Sequence, residues 1–142
     1  MSLPIAFWDS SALIPLCVEQ RQTERATALL ANYAVTVWWS TPVEIISGLT
    51  RLLRMREIGH DELLSGKQLA QTIAATWARI NPSARVEAQA CSLLEMHPLS
   101  AADALQLAAA LEWCEGKPAG NVFLTFDQRL SEAAALAGFS LQ

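Results

Sequence analysis

Apolar residues fall into two kinds of run along this chain. Short blocks rich in β-branched and aromatic residues read as strands: Ile5–Trp8, Val35–Trp39 and 121–126 ("NVFLTF"). "GFSLQ" at 138–142 and a short piece near Arg79–Asn81 add two further candidates. Between them, apolar positions recur at helical spacing over 20–32, 42–55, 61–78, 84–96, 101–114 and 128–137. Strands that are apolar throughout, without polar alternation, are buried on both faces. Their alternation with helices predicts an α/β fold: three layers, α/β/α, around a central parallel sheet of four or five short strands.

Polar residues at the run boundaries mark where helices begin. "TPVE" predicts Thr41 at the N-cap, Pro42 at the first helical position and Glu44 at the third; "SAAD" places Ser100 and Asp103 likewise. "GHDE" opens a helix after Gly59, and "NPS" closes the stretch before Arg85. No repeat, low-complexity segment or long linker interrupts the pattern, so 1–142 reads as one domain.

Composition changes this picture in two ways. Apolar residues make up 52% of the chain and charged ones 17%, against about 45–50% and 25% in an average globular domain. The excess predicts a partly apolar surface that another subunit or protein covers. A run long and uncharged enough to span a membrane is absent from the sequence, as is a signal-peptide pattern. Cys17, Cys91 and Cys114 are odd in number and scattered, which argues against a disulfide framework or zinc site and for a reducing cytoplasm. The net charge of −4 opposes a protein that grips nucleic acid over its whole surface. It leaves room for a local basic patch beside an acidic, metal-loaded cleft.

The candidate chemistry is carboxylate chemistry. The four aspartates are Asp9, Asp61, Asp103 and Asp127, and Asp9 and Asp127 each follow a predicted strand, in "IAFWD" and "VFLTFD". Sites in open parallel sheets form outside the carboxyl ends of the strands, where strand order reverses. Glu44 and Asp103 sit in first turns of helices that can start at the same edge. Taken singly, Glu44, Asp103 and Asp127 read better as helix caps, and Asp9 equally well as a cap or a ligand. Taken together they read as a cation site: two like charges about 4 Å apart repel by roughly 4 kcal/mol at an effective dielectric of 20, so a cluster requires a cation or retained protons. All-oxygen ligands suit Mg²⁺ or Mn²⁺.

Other residues read as structural. His60 and His97 stand at helix boundaries, Trp8 belongs to the core, and Trp38 and Trp39 must point to opposite sheet faces. Neither GxxxxGK[ST] nor GxGxxG occurs. Ser11 stands where an aspartyl phosphatase would need a second aspartate. A receiver domain would leave Glu44 and Asp103 without a role.

The order "FWDSSALIPL", "TPVEIISGLTRL", "LSAADALQLAAAL", "FLTFDQRLSEAAALAGF" resembles the PIN-domain family, in particular the VapC-like toxins of bacterial toxin–antitoxin pairs. That resemblance implies a divalent-metal-dependent endoribonuclease acting on single-stranded RNA. In it, Asp9, Glu44, Asp103 and Asp127 match the acidic quartet, with Asp9, Asp103 and Asp127 as ligands of Mg²⁺ or Mn²⁺. Glu44 is either a ligand or the group that orients the attacking water. Ser11 and Thr125 match supporting hydroxyl residues. It further implies a small antitoxin partner that covers the cleft, and a homodimer. Arg51, two helical turns after Glu44, and Arg54 are candidates to hold RNA phosphates. Pro15 departs from the family pattern and predicts a kinked or shortened first helix. The alternative reading is a PIN-like module that binds partners without catalysis.

Overall fold

Strand β1 (Ile5–Trp8) is the hinge of the architecture, because its side chains enter both halves of the core. In the computed structural model, which describes residues 2–142, β1 pairs in parallel with β2 (Ala34–Trp38) on one edge and β4 (Val122–Leu124) on the other. β3 (Ala78–Ile80) adds to β2, giving the order β3-β2-β1-β4. Successive residues of a strand face opposite sides of a sheet. Accordingly Phe7, Trp38 and Phe123 enter one apolar cluster, and Ala6, Trp8, Val35, Val37 and Leu124 the other. Helices α5 (Ala84–Met96), α6 (Ala101–Trp113) and α7 (Gln128–Ala137) supply the first cluster, while α1 (Ser10–Cys17), α3 (Thr41–Arg54) and their neighbours supply the second. Helices α2 (Thr23–Asn32) and α4 (His60–Ala74) complete the chain. The three-layer α/β/α fold with a four-stranded parallel sheet is therefore as expected.

Several boundaries differ from the sequence reading, each for a local reason. The helix expected over 61–78 ends at Ala74, because Ala78–Ile80 pairs with β2 as strand β3. "GFSLQ" forms a single bridge, Val122 to Ser140, rather than a strand. Ser40, not Thr41, precedes α3, and Thr41 is already helical; its buried hydroxyl accepts from Gln106 Nε2 at 3.3 Å. Pro15 lies inside α1, has no N–H to continue the helical bonding, and the helix stops two residues later at Cys17.

The strand order sets the location of the site. The chain runs outward from β1 through β2 to β3, then returns to place β4 on β1's other side. Strand order thus reverses between β1 and β4, and the carboxyl ends of those strands open a crevice. Gly48 draws the helices together beside it: a Cβ there would lie 2.5 Å from Ile14 Cδ1, so only glycine lets α3 approach α1 this closely without displacing Ile14.

Candidate active site

Asp9 follows β1 directly, its N–H bonding Leu124 O at 2.9 Å, and it caps α1. Only 2% of it is exposed. One oxygen, Oδ2, accepts from Ser11 Oγ at 2.6 Å, Thr125 Oγ1 at 2.9 Å and Ser11 N–H at 3.3 Å. Each hydroxyl is itself held from behind: Phe126 N–H donates to Ser11 Oγ at 2.9 Å, and Asp127 N–H to Thr125 Oγ1 at 3.1 Å. The loop after β4 is thereby tied to the end of β1. The supporting residues expected from the sequence, Ser11 and Thr125, stand at its centre.

The other oxygen of Asp9 has no such support. Its neighbour is the Ser10 hydroxyl at 3.5 Å, whose single proton has the nearer acceptor Glu44 Oε1 at 3.0 Å. Glu44 also accepts from Ser40 Oγ at 2.6 Å and from Gln106 Nε2 at 3.1 Å. Its carboxylate is therefore committed to side chains across the crevice and performs no capping. In "SAAD", Ser100 Oγ caps the Asp103 N–H at 3.1 Å. No return bond from the Asp103 carboxylate to the Ser100 backbone occurs among the described residues, which leaves that carboxylate available.

Asp127 is placed differently from the simple expectation of two strand-end acids. The β1–β4 register pairs Trp8 with Leu124, so the residue level with Asp9 is Thr125. Asp127 lies two residues further and caps α7, accepting from Leu130 N–H at 2.8 Å. It still lines the same cleft. That cleft, about 260 Å³, is bounded by Asp9, Glu44, Asp103 and Asp127 together with Ser47, Gly48 and Arg51. All four acids of the predicted quartet thus meet in one cavity. Arg51 meets them, whereas Arg54 is exposed and does not line the cleft.

The electrostatics follow from this crowding. Burial pushes the Asp9 carboxyl up to about 6; the Ser11 and Thr125 hydrogen bonds oppose the rise, and the charges of Asp103 and Glu44 add to it. Asp103 is raised as well, by burial first and then by Asp127 and Glu44, against the Ser100 hydroxyl. No protein cation pairs with these charges: among the described residues the one ion pair joins Arg85 to Glu112 at 3.4 Å, outside the cleft lining. Among the described residues no three His, Cys, Asp or Glu side chains close into a cage that would enclose an ion. A buried carboxylate with a free oxygen, in an open, all-oxygen cleft without a paired counter-charge, fits a hard divalent ion. Mg²⁺ takes few protein carboxylates and keeps several waters.

Comparison with known proteins follows the same line. The sequence pattern described as "PIN domain" matches residues 6–136. The chain belongs to the PIN-domain family. Over 138 residues this PIN domain is 29% identical to ribonuclease VapC45 of Mycobacterium tuberculosis, covering 96% of this chain and 93% of that one. Its fold is shared with the M. tuberculosis sarcin–ricin-loop-cleaving toxin VapC20, at a TM-score of 0.64 and 22% identity, covering 90% and 94% of the two chains. It is likewise shared with the VapBC2 complex of Rickettsia felis bound to a promoter DNA fragment, at a TM-score of 0.65 and 10% identity, covering 97% of each chain.

The sequence reading missed Ser10, Ser40 and Gln106, which hold Glu44. Gln106 carried a signal: it is the one polar side chain within "ALQLAAAL", and a buried polar residue in an apolar helix is informative. It is fully buried, and its Oε1 has no partner. Gln106→Leu removes an amide that is itself half-satisfied but leaves the buried Thr41 hydroxyl without its partner, so thermal stability should fall only modestly, by about 1 kcal/mol. Glu44 loses one of its three donors, and any activity that depends on its position should fall about tenfold. Equal losses of melting temperature and activity would show that Gln106 only packs.

Proposed function

We propose that residues 1–142 form a single PIN-type catalytic unit: a divalent-metal-dependent endoribonuclease that hydrolyses phosphodiester bonds of single-stranded RNA. Its biological role is that of the toxin in a toxin–antitoxin pair. The observation that carries this reading is the convergence of four carboxylates on one cleft, with Asp9 buried among them and, among the described residues, no ion pair to any of the four. The names of the relatives, ribonuclease and toxin, support the same class of substrate and role.

In this reading Asp9, Asp103 and Asp127 hold Mg²⁺ or Mn²⁺. Such an ion supplies an activated water for in-line attack and neutralises charge that builds on the phosphate. The chain's own groups do the rest. Ser11 and Thr125 fix Asp9 Oδ2, which leaves Oδ1 as the oxygen that would bind the ion. Glu44, held by Ser10, Ser40 and Gln106, orients the attacking water. Arg51, on the cleft wall, donates to a substrate phosphate; Arg54, on the exposed face beyond it, contributes only to the approach of the strand.

The apolar excess supports a covered surface. A groove of about 380 Å³ between α3 and α4, lined by Ile45, Ile46, Ala70, Ala74 and Trp77, together with exposed Val43, would take an antitoxin or a second copy in a homodimer. Unpaired cysteines, and no helix long and apolar enough to cross a membrane among the described residues, accord with the cytoplasm.

The test is cleavage of single-stranded RNA with Mg²⁺ or Mn²⁺. EDTA should stop it, and Asp103→Asn should slow it by about a hundredfold or more. Cleavage that survives either treatment would refute the metal-site assignment; a wild-type chain that never cleaves would leave a non-catalytic binding module.

A further inference from the structure

The acidic cleft is not isolated. A second cavity of about 240 Å³ shares Ser11, Ile14, Gly48 and Arg51 with it, and continues to Gln22 and Phe126. A third, about 500 Å³ and mostly polar, shares Gln22 and Phe126 with the second and Asp127 with the first. It is lined further by Arg21, Arg25, Gln128 and Ser131. Through these shared residues the three cavities adjoin in a row that starts at the carboxylates, passes Phe126 and ends at two arginines.

Charge is segregated along that row. Among the described residues its acidic side chains are the four of the cleft, of which Asp127 also borders the outer cavity; Arg51 stands on the cleft wall, and Arg21 and Arg25 line the outer end, in a chain with ten lysines and arginines and a net charge of −4. Among the described residues neither outer arginine pairs with an Asp or Glu side chain. Arg25 lies over the Phe126 ring, 5.7 Å from its centroid, and donates to the Gln142 main-chain oxygen, which holds its guanidinium plane in place. Arg21 is exposed and makes no side-chain hydrogen bond among the described residues. A groove with cations at intervals, a planar guanidinium on an aromatic ring and amide and hydroxyl side chains between them is suited to an unpaired nucleic-acid strand. Phosphates meet the arginines, and a splayed base finds a flat, sequence-tolerant platform.

We propose that Arg21, Arg25 and Phe126 form an extended subsite that binds the single-stranded RNA on one side of the scissile phosphodiester. This rests on the ribonuclease reading above and goes beyond it by assigning where the flanking strand runs. Arg21 and Arg25 contact backbone phosphates, and the Arg25–Phe126 stack supports one base. The subsite selects no particular base, since every base offers a π-face.

The full chain carrying Asp9→Asn allows binding to be read without turnover, by anisotropy of a short labelled oligoribonucleotide that spans only the cleft and a longer one that reaches the outer groove. Arg21→Ala with Arg25→Ala should weaken the longer RNA about tenfold while leaving the short one unchanged. The slope of log Kd against log salt should fall by about 0.7 for each phosphate that the variant no longer holds. In the otherwise native chain the same pair should raise KM for long RNA and leave kcat in place. Wild-type cleavage together with unchanged Kd, slope and KM in the double variant would overturn the subsite and spare the nuclease. A wild-type chain that neither binds nor cleaves RNA would overturn both. Unchanged RNA binding alongside lost binding of a polyglutamate probe would assign the arginines to an acidic protein partner, and would likewise overturn the subsite.

Discussion

Asp9→Asn is expected to reduce RNA cleavage by about a thousandfold and at the same time to make the metal-free chain more stable at pH 8. The two effects share one cause. Asp9 is almost fully buried, its carboxyl is pushed up to about 6, and no protein cation stands within ion-pair distance among the described residues. A folded-state value above the ordinary 3.8 means that the folded chain holds its proton more tightly than the unfolded one. Stability from this group is therefore complete below about pH 4 and is lost as pH rises through about 6. The shift corresponds to about 3 kcal/mol between the two limits.

Asparagine keeps the geometry while removing that titration. Its carbonyl oxygen can accept from Ser11 and Thr125 as Oδ2 does, and it caps α1 as well as aspartate. Melting curves of the metal-free proteins at pH 4 and pH 8 make the comparison. The variant should melt several degrees above wild type at pH 8 and converge with it at pH 4. Added Mn²⁺ should raise the wild-type midpoint and leave the variant's in place. A variant that is less stable by the same margin at both pH values would mean that Asp9 serves only its hydrogen bonds and its cap.

The acids that make this prediction possible were legible because they sit at element ends, and element ends are marked by local residues. "IAFWD" announces a strand followed by a carboxylate without any knowledge of the fold, and capping preferences locate Glu44 and Asp103 within the first turns of α3 and α6. What the sequence could not supply was register. Reading "IAFWD" against "VFLTFD" aligns Asp9 with Asp127, but the hydrogen-bonded pairing aligns Asp9 with Thr125 and moves Asp127 onto the cap of α7. Hydrogen bonds between residues far apart in sequence were hidden for the same reason. Gln106 and Glu44 are 62 positions apart, and Thr125 and Asp9 are 116 apart. The outer groove is later still in the hierarchy. Arg21 and Arg25 look like the solvated side of a short helix until α2 is packed beside the loop that carries Phe126.

Phe7→Ala is expected to lower the unfolding free energy by about 3–5 kcal/mol, a large fraction of the roughly 5–15 kcal/mol of a typical domain. Phe7 is fully buried, stacks on Phe123 at 5.5 Å and meets Trp113 at 6.1 Å. Truncation empties the centre of one core layer at the strand that pairs on both edges, where collapse of the surroundings is hardest. Two residues earlier, Ile5 is 53% exposed, and Ile5→Ala should cost about 0.5 kcal/mol or less. Phe7→Leu retains most of the volume and should fall between them. Urea midpoints give the order. Activity adds a second reading, because Asp9 is anchored through Ser11, Thr125 and the β1–β4 pairing rather than through the Phe7 ring. Cleavage per folded molecule should therefore persist in Phe7→Ala at low temperature, although the folded fraction shrinks. A midpoint equal to wild type would mean that the aromatic pack does not hold β1. A folded but inactive variant would mean that the position of Asp9 depends on that pack after all, and that the hydroxyl network alone cannot maintain it.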